Sequence, residues 1–157
     1  MKNTIFSFAF LAAISPLALS AKPGNFVSVQ AQEAISNDFP SAEDLTWGND
    51  QQGVVTAYFN QYGNREVAQV DEDGNLLSVL TYYTLDNVPA RVRYLLTEKF
   101  PGKTIESVVR YEVTNAGPDD QGIPNVSYQA NLSDATHFYV VKVSGSDVVT
   151  KQVLDKD

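Results

Sequence analysis

The side chain best suited to proton transfer in this sequence is its single histidine, His137. A serine triad would set a histidine beside a serine nucleophile, but no Gly-x-Ser-x-Gly turn occurs. One histidine cannot form the common histidine-rich zinc sites. The chain has no cysteine, which removes cysteine nucleophiles, cysteine metal ligands and disulfides. We therefore expect a structural role for His137 at the start of a strand.

Acidic residues are the second source of reactive groups. The turn over residues 71–75, Asp-Glu-Asp-Gly-Asn, groups oxygens as a calcium site does. Its spacing does not fit an EF-hand, so a solvated hairpin turn is the favoured interpretation. Asp119 and Asp120 lie in a polar loop and could add to a cation site. A glycosidase would need a carboxylate pair, and position singles out none of the 19 acids. The sequence predicts no catalytic residue, no metal ligand and no cofactor.

Tyrosine is the residue type that points to binding instead. The chain has eight tyrosines, and adjacent aromatic pairs occur at Tyr58-Phe59, Tyr82-Tyr83 and Phe138-Tyr139. Neighbours in a strand face opposite sides of a sheet. One member of each pair can pack beneath a helix while the other is offered to solvent or to a partner. Tyrosine supplies contact area and a polar tip at low entropic cost.

The first 21 residues have the order of a secretory signal peptide. Lys2 is followed by an apolar run from Ile5 to Ile14 and then by small residues. The run is shorter than the roughly 20 residues that cross a bilayer. We expect cleavage after Ser20 or Ala21, a periplasmic or secreted location, and no membrane insertion after leader removal.

Net charge narrows the range of partners. Without the leader the chain would keep 19 acids and 10 bases, a net charge of −9. Such a molecule repels phosphate backbones, so we expect no nucleic-acid partner. A basic patch on another protein, or a bound cation, is easier to accommodate.

Two segments, 25–40 and 86–101, match at an offset of 61 residues and each has the pattern of one helix. Asn25 and Asp86 stand at the expected N-cap positions. A Phe-Pro pair ends each segment, because proline disfavours the α conformation in the preceding residue. The apolar positions follow helical spacing. The aligned apolar pairs are Val27 with Val88, Ala31 with Val92, Ala34 with Leu95, Ile35 with Leu96, and Phe39 with Phe100.

Each predicted helix is followed by four segments that alternate as strands do. The segments are 45–47, 54–61, 65–70 and 76–84 in the first half, and 105–114, 126–132, 137–143 and 148–154 in the second. The residues expected to face the helices are Val55, Ala57, Phe59, Val109, Tyr111, Val113, Val126, Tyr128, Ala130 and Leu132.

The predicted fold class is α+β, a tandem repeat of one helix plus about four antiparallel strands. The simplest assembly is one antiparallel sheet of about eight strands with both helices on one face. The signal peptide would span residues 1–21, the first repeat 22–85 and the second 86–157. The other sheet face would be open. The binding residues predicted on it are Tyr58, Tyr82, Arg110, Gln129 and Asn131.

The order of these motifs also resembles a known family. The residues that carry the resemblance are Phe39-Pro40, Leu45, Trp47, Tyr58-Phe59, Asp71 to Leu76, Val88-Pro89, Phe100-Pro101 and Ile105. They resemble the small PepSY-like periplasmic proteins of Bacteroides-type bacteria, which are described as similar to β-lactamase-inhibitor protein. The resemblance implies tandem α-plus-four-strand repeats with an open sheet face. It supplies no catalytic residues and does not imply that a β-lactamase is the target.

The function expected is that of an exported, non-enzymatic binding module that recognises a protein through the open face, with inhibition as one form of recognition. Three alternatives stay open. They are a structural or envelope-associated protein without a discrete target, a small-ligand or cation binder, and an enzyme with an unrecognised carboxylate pair. The sequence names neither the target nor the oligomeric state.

Overall fold

One antiparallel sheet and two ten-residue helices make up the fold, in a computed structural model that describes residues 27–49, 53–114 and 125–156. The first half contributes α1 Val29–Asp38, β1 Glu43–Asn49, β2 Val54–Gln61, β3 Asn64–Asp71 and β4 Leu76–Tyr83. The second half contributes a short 3-10 helix Leu85–Asn87, α2 Ala90–Lys99, β5 Thr104–Val113, β6 Asn125–Ser133, β7 His137–Ser144 and β8 Asp147–Asp155. The strands lie in the order β1 to β8.

Every neighbouring pair of strands is antiparallel, so the predicted α+β class with a single sheet of eight strands is confirmed. The predicted leader over 1–21 and the aspartates Asp119 and Asp120 lie outside the described residues. Within the described ranges, no helix has the length and apolar character needed to cross a membrane.

Both helices end at the predicted Phe-Pro pairs. Phe39 and Phe100 have nearly the same backbone angles, φ −128° with ψ 64° and 63°. Their N–H groups donate to the carbonyls of Ile35 and Leu96, each at 2.9 Å. The shared geometry follows from the proline, which keeps its predecessor out of the α region.

The helix starts differ from the sequence prediction. Ser28 is the N-cap of α1, and its Oγ accepts from the N–H of Ala31 at 3.1 Å. Asp86 is not the cap of α2, because it lies in the 3-10 helix and α2 begins after Pro89. Proline has a φ suited to a helix start and needs no partner for an N–H. Asn25 lies outside the described residues.

Each helix covers its own apolar cluster on the sheet. Ala31 and Ile35 of α1 are buried against strand residues Val55, Ala57, Phe59, Ala68, Val70 and Val79. Val92 and Leu96 of α2 are buried against strand residues Val108, Ala130, Leu132, Val141 and Val143, with Val88 beside them.

Strand register places both clusters on the same face. Val79 of the first cluster is paired with Glu112 on β5. Glu112 and Val108 are an even number of residues apart in one uninterrupted strand segment, so they share a face. We call this the helix face and the opposite side the open face.

The side chains of β5 after Glu106 lie on the opposite face of the sheet from the one predicted. Between Ile105 and Ser107 the strand has one residue, Glu106, without a counterpart on β6. Such a bulge reverses the alternation for the rest of the strand. Val108 is therefore buried on the helix face. The residues predicted to face the helices, Val109, Tyr111 and Val113, lie on the open face instead.

Both outer strands of the sheet are irregular. On β1, the register shift between Glu43 and Thr46 falls at Asp44 and Leu45, and Asp44 has a positive φ of 56°. On β8, Lys151 is the extra residue opposite β7. Each outer strand thus carries a charged residue at a bulge.

The acidic turn between β3 and β4 holds the start of α1. Ser28 Oγ donates to the carbonyl of Glu72 at 3.0 Å. The Asp71 carboxylate accepts from Asn75 Nδ2 and from backbone N–H groups of the turn, which lowers the pKa of Asp71. Gly74 has a φ of +87°, and a Cβ there would lie 2.9 Å from the carbonyl oxygen of Gln30. The Asp71 carboxylate is thus committed to the turn's own hydrogen bonds, and the Glu72 carbonyl to α1.

We expect Gly74→Ala to destabilise the protein more than Gly145→Ala does. Both glycines have positive φ, so both variants bear the left-handed strain of a Cβ, about 1–2 kcal/mol. Only at Gly74 would the Cβ meet the α1 backbone, since Gly145 has nothing within 4 Å. The extra cost is about 1–3 kcal/mol. Urea unfolding measures both variants, and equal midpoints would show that the turn does not hold the helix.

Candidate functional site

The first feature of the open face is a lateral row of tyrosine and aliphatic residues. It crosses β1 to β6 at directly opposed positions. In strand order, its members are Thr46, Tyr58, Val67, Leu80, Tyr111 and Ser127. Tyrosine side chains at both ends of a Val-Leu pair form a mixed aromatic and aliphatic strip. Surfaces of this composition are typical of protein contact sites.

Two further rows lie beside it on the same face. The second crosses all eight strands and consists of Glu43, Asn60, Arg65, Tyr82, Val109, Gln129, Lys142 and Val149. The third crosses β5 to β8 and consists of Ser107, Asn131, Val140 and Gln152. These three rows are called the open-face rows below.

Four of the five predicted binding residues therefore share the open face. Tyr58 lies in the first row, Tyr82 and Gln129 in the second, and Asn131 in the third. Tyr82 is 42% exposed and Arg65 lies over its ring at 5.9 Å from the centroid. Asn131 is committed within the sheet, because its Nδ2 donates to Ser107 Oγ at 2.9 Å.

The ring of Tyr58 reaches over Gly48 of the neighbouring strand β1. A Cβ built on Gly48 would be 3.1 Å from Cε2 of the Tyr58 ring. Glycine at this position leaves room for the ring on β1, while Phe59, the next residue, is buried under α1. The predicted division of the Tyr58-Phe59 pair between two faces is what the structure shows.

Sequence reasoning missed the third tyrosine of this surface, Tyr111. Alternation counted from Ile105 assigned Tyr111 to the core, because the bulge at Glu106 was not foreseen. Partial burial, followed by the proximity of Tyr82, raises the pKa of the Tyr111 hydroxyl. A signal did exist in the sequence: Ile105 and Val108 are three residues apart, a spacing that one strand can bury on a single face only with a bulge.

Arg110 lies on the helix face, so its predicted place on the open face is wrong. The bulge at Glu106 accounts for the change, as it does for Tyr111. Arg110 forms an ion pair with Glu112 and lies between Thr81 and Tyr128 in register.

Arg110 belongs to a polar row that separates the two apolar clusters. The row runs Glu66, Thr81, Arg110 and Tyr128 across β3 to β6. Phe59 of the first cluster adjoins Glu66, and Val143 of the second adjoins Tyr128. The two halves of the helix face are thus joined by hydrogen-bonding and charged groups.

Glu66 is the buried acid of the polar row, only 7% exposed. Thr81 Oγ1 donates to its carboxylate at 2.7 Å. Burial raises the pKa of Glu66, which the Thr81 hydrogen bond and Arg110 oppose and Glu112 reinforces. Burial also raises the pKa of Tyr83, which stacks on Tyr128 with ring centroids 6.5 Å apart.

His137 belongs to a hydrogen-bond network around Asp134 at the β6–β7 turn. Asp134 accepts from Lys103 and from Tyr139 Oη, and also from the backbone N–H groups of Thr136 and His137. The Lys103 ammonium, followed by these N–H groups, holds the pKa of Asp134 far below its usual range. His137 Nε2 lies 3.2 Å from the carboxylate of Asp155. These contacts tie together the start of β5, the β6–β7 turn and the end of β8.

One cavity of about 260 Å³ lies between α2, the 3-10 helix and the start of β5. Its lining is Leu85, Val88, Arg93, Thr97, Lys103 and Ile105. Both of its cations are already engaged. Arg93 donates to the carbonyl of Leu85, and Lys103 is paired with Asp134. The cavity therefore combines apolar walls with one guanidinium, Arg93, whose hydrogen bonds go to neutral backbone carbonyls. No group of three or more potential metal ligands occurs in the ranges 27–49, 53–114 and 125–156.

Two helices on one face of an eight-stranded antiparallel sheet define a β-lactamase-inhibitor-like α+β fold. The solved structures similar to this chain are of that kind. A BLIP-like protein from Bacteroides fragilis has a TM-score of 0.60 and 16% identity, over 85% of this chain and 89% of that chain. A DUF2874 family protein from Bacteroides ovatus has a TM-score of 0.58 and 15% identity, over 84% and 89%.

A Bacteroides eggerthii protein provisionally described as periplasmic has a TM-score of 0.57 and 16% identity, over 83% of this chain and 90% of that one. The resemblance inferred from the sequence is confirmed at the level of the fold. No protein-family model and no curated protein matches the sequence.

We expect Glu66→Gln to stabilise the protein at neutral pH. The folded-state pKa of Glu66 is raised, so the folded protein binds its proton more tightly than the unfolded chain, and this stabilisation is lost as pH rises through the raised pKa. Glutamine stays neutral and keeps an acceptor for Thr81. The advantage of the variant should shrink as pH falls toward about 4, where the unfolded chain is protonated too.

Urea unfolding across this pH range measures the difference in unfolding free energy between the wild type and Glu66→Gln. The control is Glu98→Gln, at an exposed position of α2. If Glu66→Gln were less stable than wild type by the same amount at every pH, the charge of Glu66 would not destabilise the folded state.

Proposed function

We propose that this protein is an exported, non-enzymatic binding module that recognises a protein through the open face of its sheet. The proposal is based on the first and second open-face rows, which place Tyr58, Tyr82 and Tyr111 on the face opposite both helices. Tyrosine and aliphatic side chains at these positions contribute nothing to the two helix-covered clusters. Their surface has the composition of a recognition site.

Export is supported by the leader-like order of residues 1–21 and by the provisional periplasmic description of one structural neighbour. Protein recognition is supported by the name of another neighbour, a BLIP-like protein. That name concerns the neighbour, and at 16% identity it carries no target over to this chain. Inhibition is thus one form that recognition through this face would take.

We propose further that the two halves, 22–85 and 86–157, derive from a duplicated unit. The matching helix stops at Phe39 and Phe100 support it, as do the buried positions Ile35 and Leu96 at the same offset. Each half places one helix before four strands. The open face then combines surfaces of both units, and a partner that bridges β3 to β6 would contact both.

We expect the Tyr58→Ala/Tyr82→Ala variant to lose the partner. Residues 22–157, immobilised and exposed to envelope extract from the source organism, should retain a protein that mass spectrometry identifies. Loss of two aromatic contacts that lie near the centre of an interface costs about 2 kcal/mol or more, roughly a thirtyfold loss of affinity. The purified partner allows this loss to be measured by titration.

The matched control is Tyr62→Ala/Tyr94→Ala, which removes two tyrosines that are 76% and 62% exposed and lie away from the open-face rows. Equal loss in both variants, or in neither, would rule out recognition through the open face. Self-association without a soluble partner would favour the structural or envelope-associated alternative.

A further inference from the structure

The cavity of about 260 Å³ beside α2, called the α2 cavity below, lies on the helix side of the sheet and away from the open-face rows. Its apolar walls run from buried to exposed. Val88 is 5% exposed and belongs to the second apolar cluster, Ile105 is half-buried, and Leu85 is 48% exposed. Apolar surface in contact with water is unfavourable. An apolar ligand in the cavity would cover the exposed parts of Leu85 and Ile105.

Arg93 brings a positive charge to this apolar cavity. The lining contains two cations, Lys103 and Arg93, and no acid is among the lining residues that the structure describes. The Lys103 ammonium is paired with the carboxylate of Asp134. Arg93 differs, because its Nη2 donates to the carbonyls of Leu85 and Asp86, which carry no charge. Over the described ranges of the chain, no carboxylate, that of Asp86 included, lies within 4 Å of the Arg93 guanidinium.

The two carbonyls also hold the guanidinium in place. Both accept from the same nitrogen, Nη2. Among the residues that the structure describes, Nη1 and Nε of Arg93 have no hydrogen-bond partner, so their N–H groups can donate to an anion. A guanidinium that is already held loses little conformational freedom when it binds a carboxylate. Arg93 is thus a positioned anion-binding group at the exposed side of an apolar cavity.

We propose that the α2 cavity binds a small amphipathic monocarboxylate. The apolar body of this ligand packs on Val88, Ile105 and Leu85, and its carboxylate accepts hydrogen bonds from Arg93. One unpaired guanidinium matches one negative charge. This binding function is separate from recognition through the open face.

The size of the cavity sets the size of the ligand. An apolar cavity of about 150 Å³ holds benzene, which has six carbons. In proportion, a cavity of about 260 Å³ holds about ten non-hydrogen atoms, the number in octanoate. A volume of this size takes one small molecule and leaves no room for a longer stretch of polypeptide, so the ligand is a free acid.

The test is calorimetric titration of residues 22–157 with butanoate, hexanoate, octanoate and decanoate. Each methylene that the walls bury should strengthen binding by up to about fourfold. The gain should stop near octanoate, where the cavity is filled. Octanol has the same chain without the charge, so it should bind about fivefold more weakly than octanoate.

Arg93→Gln removes the charge and should lower the affinity for octanoate to that for octanol, while the affinity for octanol stays unchanged. The matched control is Arg91→Gln, an exposed position of the same helix outside the cavity lining, which should bind octanoate as the wild type does. Thr97→Phe keeps Arg93 and places a ring in the cavity from an exposed position of α2. It should weaken octanoate and octanol alike, and it tests the site even if Arg93→Gln disturbs the fold.

Amide chemical shifts locate the bound acid. Octanoate should move the signals of Val88, Thr97 and Ile105 and leave those of Tyr58 and Tyr82 in place. Tyr58→Ala/Tyr82→Ala should bind octanoate as the wild type does. Failure of this inference would therefore leave recognition through the open face untouched, and the reverse also holds.

Several results would overturn the inference. They are no binding of any acid, equal binding of octanoate and octanol, affinity independent of chain length, equal loss in Arg91→Gln, or shifts confined to the open face. A hexapeptide that ends in leucine and binds more tightly than octanoate would also overturn it, because the cavity would then be a site for the C-terminus of a protein chain.

Discussion

The alternation of side chains along a strand is the constraint on which this structure depends. Every residue that a strand buries under α1 or α2 sets its neighbours on the opposite side of the same sheet. Each helix has ten residues and is about 15 Å long, and both pack on one face. The strands must therefore present two different surfaces, one built for packing against helices and one facing away from them. Core packing therefore does not determine which residues occupy the surface that faces away from the helices.

The helix face itself is not one continuous core. Two apolar clusters are joined through Glu66, Thr81, Arg110 and Tyr128, where burial and hydrogen bonding act against each other. Apolar residues in place of this polar row would avoid the free-energy cost of burying the Glu66 carboxylate. The backbone ladder between β4 and β5 aligns the two halves, and the polar joint adds directional side-chain contacts at the same boundary. The first two open-face rows cross the boundary between the halves, so their arrangement depends on that alignment.

Most of the fold could be predicted from the sequence, because its elements have strong local signals. Strand β2 was predicted with its observed bounds, and both Phe-Pro helix stops were placed correctly. Of the predicted binding residues, Tyr58, Tyr82, Gln129 and Asn131 lie on the expected face, although their role in binding stays a prediction. Arg110 and Tyr111 were exchanged between faces because one bulge residue, Glu106, changes the phase of β5. A bulge is defined by pairing with another strand, so a pattern read along a single strand can miss it.

The irregular outer strands bear on how this protein behaves at high concentration. A regular outer strand offers unpaired backbone groups as a template on which identical chains can add and grow into fibres. Here Asp44 interrupts one border of the sheet and Lys151 the other, each at a bulge that breaks the spacing such growth requires. In the ranges 27–49, 53–114 and 125–156, a bulge with a charged residue stands at each border of the sheet, and this disfavours lateral polymerisation. The same bulges leave the two broad faces of the sheet unchanged, so resistance to edge-to-edge growth does not require a change in either face.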